Sequence, residues 1–447
     1  MSSMESRLLT LTEHGLYCPA GDFYVDPWRP VRHAVITHAH SDHARWGSQC
    51  YLSSTGNADF LKLRLGPTID LQTLPLGESL RVKDVRVSLH PAGHIRGSCM
   101  VRVEHQGQVA LVTGDFKRDP DPTCEAFEPV ACDLIVTEST FGLPVFRWRD
   151  TAIVAGDINA WWCKNRSERR TSVLFAYALG KAQRLLASID ASIGPIYLHG
   201  ALVNPTSLYQ NQGCLLPDCR PVSEAPTGTR WHESLIIAVP SAAGSPWLRR
   251  FGEVSTAMAS GWMAIRGNRR RRALDRGFVL SDHADWDGLL RTVRECGAEH
   301  VWVTHGFAPI LARYLSEQGV DAAPLSTAFQ GETVHDESEQ LAANDSEAQQ
   351  APTPQLPADS NDRKAANNSV QTSLPTSGAK SHGDTEGHVD TERNGDTERH
   401  VDTERHVDTE GHVEDARSDR SRRADDVAGP IGVVAVHAEA NRAERAP

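Results

Sequence analysis

The sequence contains no C-x-x-C pair, and its nine cysteines are odd in number, so neither a cysteine-type zinc knuckle nor a disulfide framework is expected. No apolar run reaches the ~18 residues of a membrane span, and MSSMESRLLTLTEHG has no basic segment followed by an apolar one. These absences predict a soluble, cytoplasmic protein with reduced thiols and no membrane partner. Aromatics are missing from one end: all ten Trp and all seven Tyr precede residue 330, and Phe329 is the last aromatic. Residues 331–447 are mostly Glu, Asp, Gln, Ala, Ser, Thr and Pro, with too little apolar area to offset chain entropy. Five tandem hexads, DTEGHV at both ends, fill 384–413 with a period that fits neither helix nor strand. A disordered acidic tail without catalytic residues is expected there.

Excess positive charge is lacking as well. Of 46 basic and 58 acidic residues, 12 and 25 lie in 331–447, so residues 1–330 carry 34 and 33. A polyanionic partner would have to be drawn by local basic patches.

Between residues 22 and 137, short β-rich runs such as HAVITHAH, QVALVTGD and LIVTES alternate with Gly, Pro and Asp, which predicts a sheet-rich α/β region. From about 145 to 270 the pattern becomes strand and helix in alternation, with DINAWWCKN, SVLFAY, LGKAQRLLASI, IGPIYLH and LIIAVP. That pattern predicts a second α/β unit with a parallel sheet. GFVLSDHADWDGLLRTVREC and AEHVWVTHG then return to strand, helix and strand.

The strongest chemical signal is THAHSDH, directly after the apolar HAVI. His38, His40, Asp42 and His43 form H-x-H-x-D-H, and imidazole with carboxylate suits borderline divalent metals. Four donors at one strand end can face two ions, and two ions need more donors than this loop has. His94 in SLHPAGHIRGS, with His90 as a nearby alternative, Asp115 ending QVALVTGD and His305 ending VWVTHG supply them.

With these places filled, the chain resembles the metallo-β-lactamase superfamily, and Asp26 of FYVDP matches its first, supporting aspartate. The resemblance extends to the β-CASP group: Glu138 of LIVTESTFG stands at its motif A, His283 of SDHAD at motif B, and His305, 22 residues further on, at motif C. The wording of GLYCPAGDFYVDPWRP, DFKRDPDPTCEAFEP, LFAYALGKAQR and SAAGSPWLRRFG is similar to that of bacterial ligase-associated DNA exonucleases.

The resemblance implies an α/β fold: a metallo-β-lactamase αβ/βα sandwich over 1–144 and 273–330, an inserted β-CASP domain over 145–272, and the tail over 331–447. It implies one metal on His38, His40 and His94, another on Asp42, His43 and His305, and Asp115 bridging. Zn²⁺ is the expected ion, with Mn²⁺ as alternative. Asp42 or Asp115 would orient an attacking water, and His283, supported by Glu138, would protonate the leaving oxygen. Nucleic acid would be the partner, DNA ahead of RNA, with an ATP-dependent DNA ligase and a helicase as associated proteins.

Gly180 and Lys181, at a strand-to-helix turn, and Arg269 and Arg270, in a basic run, are the candidate phosphate contacts; an ordinary helix entry with a solvated Lys181, and a solvated loop for the arginines, are the competing readings. Trp247 and Trp262 are expected mainly to pack. His305 at motif C is usual among RNA-cleaving members, so an RNA-processing ribonuclease is the first alternative. A small-molecule metallo-hydrolase is the second, and a scaffold without metals the third.

Overall fold

A computed structural model of the protein describes residues 8–327. The tail, its hexads and Phe329 lie outside the described residues. Within them the chain is mixed α/β, with three sheets and helices packed on them.

The first sheet runs in chain order: β1 (Thr10–Thr12), β2 (Gly15–Cys18), β3 (Phe23–Val25), β4 (His33–Val35), β5 (Cys50–Ser54) and β6 (Leu71–Leu74). The second takes β7 (Ser79–Val82), β8 (Val85–Pro91), β9 (Cys99–His105), β10 (Gln108–Val112) and β11 (Leu134–Glu138). It is completed from far along the chain by β18 (His300–Thr304) and β19 (Asp321–Pro324), in the order β19-β18-β11-β10-β9-β8-β7. Leu16, Val25, Val35 and Leu52 of the first sheet share a core with Val87, Val101, Val112, Val136 and Trp302 of the second, so the two sheets pack face to face. The other face of the second sheet is covered by α6 (Trp286–Cys296) and α7 (Ala308–Glu317). Residues of the first sheet pack with Phe60, Leu61 and Leu65 of α1 (Ala58–Leu65).

Helix α6 shows how the sequence writes such an element. Trp286, Leu289, Val293 and Cys296 recur on one face and are buried, Asp285 caps the start by accepting from Gly288 N at 2.8 Å, and Gly297 ends it with φ +66°. Loss of such a cap costs about 1 kcal/mol.

The third sheet is parallel throughout, in the order β14-β13-β15-β12-β16-β17. Its strands are β12 (Thr171–Phe175), β13 (Ile196–Leu198), β14 (Cys219–Pro221), β15 (Leu235–Ala238), β16 (Val254–Ala259) and β17 (Arg276–Phe278). Strands β12 and β15 are buried along their whole length, as a sheet covered on both faces requires. Helix α2 (Thr151–Ser167) leads into β12, α3 (Lys181–Ser188) and α4 (Gly200–Asn211) join β12 to β13 and β13 to β14, and α5 (Arg266–Arg271) precedes β17. Strands at SVLFAY, IGPIYLH and LIIAVP stand where the apolar runs put them; β17 carries the sheet beyond residue 272. No helix among the described residues is long and apolar enough to cross a membrane, and the cysteines are free.

Candidate metal centre

The chemistry-bearing side chains sit on loops that leave strand ends. His38, His40, Asp42 and His43 follow β4, His94 follows β8, Asp115 follows β10, Glu138 closes β11 and His305 follows β18. Strands β10, β11 and β18 are parallel neighbours, so their C-terminal ends open on one edge and the three loops meet there. Two further loops reach the same place from the third sheet: Tyr177–Gly180 after β12, and Ser281–His283 beyond β17.

Asp115 stands between the histidines. Its Oδ2 is 3.5 Å from His38 Nε2, 3.5 Å from His43 Nε2 and 3.8 Å from His94 Nε2, and its Oδ1 is 3.8 Å from His305 Nδ1. His38, His40, His94 and Asp115 form one group that could hold a metal, and His43, Asp115 and His305 a second. Asp42 lies 3.6 Å from His43 Nε2 and lines the same cavity as Asp26, Glu138 and His305.

The outer nitrogen of each ring fixes what the inner one can do. His38 Nδ1 is 3.1 Å from Thr37 Oγ1, which itself donates to Asp26 Oδ2 at 2.6 Å, so the imidazole is the donor. His43 Nδ1 donates to Asp26 Oδ2 at 2.7 Å. His40 Nε2 donates to Leu179 O at 3.1 Å, and His94 Nδ1 to Asp282 O at 2.8 Å. The protons therefore sit on the outside. His38 Nε2, His43 Nε2, Asp115 Oδ1 and His305 Nδ1 are buried with no hydrogen-bond partner among the described residues, although such atoms are nearly always paired in folded proteins.

His40 Nδ1 and His94 Nε2 are only 3.1 Å apart. Both rings have committed their proton to a carbonyl, so two lone pairs face each other. Burial, the largest cause, lowers both pKa values, that of His94 to about 3, which removes the proton that could bridge them. His38 is pushed well below its ordinary value by burial and by the neighbouring imidazoles. A shared cation resolves each of these conflicts, and the donor set fits a divalent ion of the borderline kind.

His43 behaves differently. Burial disfavours its charge, but Asp115, Asp42 and Asp26 outweigh burial and hold its pKa well above the ordinary value. Burial likewise opposes ionisation of Asp42 and Asp115, and the adjacent imidazoles, His43 first, overcome it and lower both. The excess negative charge that protonates His43 is charge a cation would take.

Asp26, at φ +45°, accepts from Thr37 N at 2.8 Å in addition to its two side-chain contacts. His283 Nδ1 donates to Glu138 Oε2 at 2.9 Å and lies 3.9 Å from Asp115 Oδ2; Phe116 N donates to Glu138 Oε1 at 2.8 Å. Trp148 Nε1 donates to His283 O at 2.9 Å.

The expected phosphate contacts are placed elsewhere. Lys181 is 0 % exposed, with its ammonium 3.2 Å from Asp282 Oδ1, so it faces a carboxylate inside the protein. Gly180 (φ +91°) is wedged against Ile95, whose Cγ2 would lie 2.3 Å from an added Cβ. Arg269 and Arg270 are exposed in α5, and Arg269 Nη1 donates to Asp275 O at 2.8 Å, at the N-terminal end of β17. His283 lies beyond the other end of that strand, so the structure does not bring these arginines to the centre. Trp262 is buried against Phe141, Phe146 and Phe307. Trp247 is half-buried between His199 and Phe251.

Three contributors escaped the sequence reading. Asp282 was overshadowed by His283 beside it, although a carboxylate next to a candidate acid was a usable signal. Thr37 and Leu179 act through a hydroxyl and a main-chain carbonyl, for which spacing offers no signal.

No family model matches the chain. A protein named "Probable DNA ligase" from Opitutus terrae is 35% identical over 311 residues, 69% of this chain and 30% of that protein. The Aspergillus fumigatus endoribonuclease ysh1 is 31% identical over 170 residues, 35% of this chain and 19% of its own length. Cleavage and polyadenylation specificity factor 73 of Drosophila melanogaster is 29% identical over 168 residues, 35% of this chain and 23% of its own. The chain thus spans less than a third of the length of each of these relatives.

Proposed function

The chain belongs to the β-CASP group of the metallo-β-lactamase superfamily, and from that premise we propose that it is a two-metal nuclease that hydrolyses phosphodiester bonds, acting on DNA as an exonuclease. On this reading the first two sheets are the αβ/βα sandwich, and the parallel third sheet, which reaches Phe278 rather than ending at 272, is the inserted domain.

The observation that carries it is the convergence of unpartnered inner nitrogens of His38, His43 and His305 on Asp115, beside a buried His283–Glu138 pair. His38, His40 and His94 would hold one ion, Asp42, His43 and His305 the other, and Asp115 would serve both; Zn²⁺ suits these donors and Mn²⁺ is the alternative. Such ions, when bound, lower the pKa of a shared water and neutralise the non-bridging phosphate oxygens. Asp42 or Asp115 would accept a hydrogen bond from an attacking water and orient it toward phosphorus. Glu138 fixes the His283 ring through Nδ1 and favours its cationic form, so His283 can give a proton to the leaving oxygen. Asp26 keeps His43 facing inward.

Likeness over 69% of the chain to a protein named as a DNA ligase, against 35% to the endoribonucleases, favours DNA and a ligase as associated protein. The RNA reading is favoured by the endoribonucleases and by His305. Metal-stripped protein, refilled with Zn²⁺ or Mn²⁺, is to be tested on matched end-labelled single-stranded DNA and RNA, with His283→Ala in parallel. DNA cleavage that needs metal and His283 is the expected result. Preferential RNA cleavage would move the substrate to RNA, and cleavage of neither would sink the nuclease reading.

A further inference from the structure

Helix α3 opens with charge in an unusual place. Lys181, Gln183 and Arg184, all in its first turn, are 0 %, 0 % and 2 % exposed. Each is tied to a loop that touches the histidine cluster. Lys181 Nζ is 3.2 Å from Asp282 Oδ1 and lies over the Tyr177 ring, 4.4 Å from its centroid. Gln183 Oε1 accepts from Gly180 N at 2.8 Å, and its Nε2 donates to Ala178 O at 3.1 Å. Arg184 Nη1 donates to Ser281 O at 3.1 Å, while its Nε pairs with Asp121 at 2.5 Å. The two loops gripped in this way are those that carry Leu179 O and Asp282 O, the acceptors that fix the protons of His40 and His94.

We propose that the first turn of α3 is a clamp that positions His40 and His94, with Lys181 bridging the two carbonyl-bearing loops, Gln183 shaping one and Arg184 anchoring the other. The proposal rests on the metal-centre reading and adds to it three positioning residues, none of which touches the ion or the substrate. Stability alone does not account for the buried pair, since apolar residues of similar volume commonly replace such pairs without loss. What apolar residues would not do is hold two separate carbonyls in register with two imidazoles.

Lys181→Met tests this by sign. It removes a positive charge beside the proposed cation site, so electrostatics alone would not weaken metal binding and would favour it. Loss of positioning would weaken it, by ~10- to 100-fold as for other supporting residues of metal ligands. The full chain, stripped of metal, is to be titrated with Zn²⁺ against a chromophoric chelator and with Co²⁺ by its visible spectrum, with circular dichroism reporting the fold. A weaker tight site and a shifted Co²⁺ spectrum in folded Lys181→Met is the expected result; equal or tighter binding overturns the clamp. Should Lys181→Met not fold, Gln183→Met changes no charge and carries the same two outcomes. Wild-type protein that binds neither ion would remove the metal-centre reading itself, whereas wild-type binding matched by the variant removes only the clamp.

Discussion

Asp26→Asn exchanges one atom for another of nearly equal size and reverses the hydrogen-bond logic of the centre. In the native protein Asp26 Oδ2 accepts from Thr37 Oγ1 at 2.6 Å and from His43 Nδ1 at 2.7 Å, while Oδ1 accepts from Thr37 N at 2.8 Å. An asparagine can keep the main-chain contact with its carbonyl oxygen, but its NH₂ then stands where Oδ2 stood and can only donate. His43 must present a bare Nδ1 to it, so the neutral ring keeps its one proton on Nε2, the atom 3.5 Å from Asp115 Oδ2 that faces the cavity, and cannot shed it to a metal as the native ring does. A ligand nitrogen stays an N–H. The lost charge-assisted hydrogen bond corresponds to ~1.5–3 kcal/mol, and metal affinity at the His43–Asp115–His305 group should fall ~10- to 100-fold. His40 and His94 keep their carbonyl acceptors, so in the other group only His38, set through Thr37 Oγ1, is disturbed and the loss should be smaller. Metal content per chain, chelator competition and ¹⁵N shifts of labelled histidine measure these effects. A variant that binds its second equivalent as tightly as wild type, with His43 still protonated on Nδ1, would refute the reasoning.

The same groups predict different pH behaviour at the two metal positions. The pKa values of His38, His40 and His94 are all lowered, that of His94 to about 3, so binding there displaces no proton from them above neutrality and its affinity should be flat between pH 7 and 8. His43 is raised and carries a proton through neutrality, so binding at its group must expel it, and affinity there should climb about tenfold per pH unit until the folded-state pKa is passed. Calorimetry in buffers of different ionisation heat counts the protons; equal release at both positions would contradict the assignment. Glu138→Gln leaves every proposed ligand in place but removes the charge that favours cationic His283, so cleavage should drop ~10²- to 10⁴-fold with metal content unchanged, as single-turnover kinetics on the metal-loaded protein would show. Gly180→Ala puts a Cβ 2.3 Å from Ile95 Cγ2 at φ +91°, which should cost at least ~1–3 kcal/mol and lower the melting temperature by several degrees; an unchanged melt would mean that the turn relaxes freely.

Much of the centre was legible because its donors obey local rules. H-x-H-x-D-H after an apolar strand puts three imidazoles and a carboxylate on one turn, and the later strands each end in one donor, so His38, His40, Asp42, His43, His94, Asp115 and His305 could be named from spacing and residue type. Strands β12, β13 and β15 of the parallel third sheet were readable from their apolar runs, because strands buried on both faces have no polar alternation to hide them, whereas β17, beyond residue 272, reads as part of the returning segment. Lys181 was misplaced for a physical reason. A lysine after a glycine at a helix entry looks solvated, and only a carboxylate 101 residues away in sequence, buried beside it, turns it inward. Arg269 and Arg270 were grouped with the site by charge alone, and charge carries no information about which end of a strand it flanks.

By itself, then, the sequence determined which side chains are candidate donors, the α/β class and the boundary beyond which aromatics cease, because these depend on residue type and short-range periodicity. Tertiary structure decided which nitrogen of each imidazole faces inward, which carbonyl holds it there, and that two loops of the third sheet complete a centre built on the other two. Those are relations between atoms distant along the chain. They exist only once parallel strands have brought their ends to one edge, and no spacing within a motif encodes them.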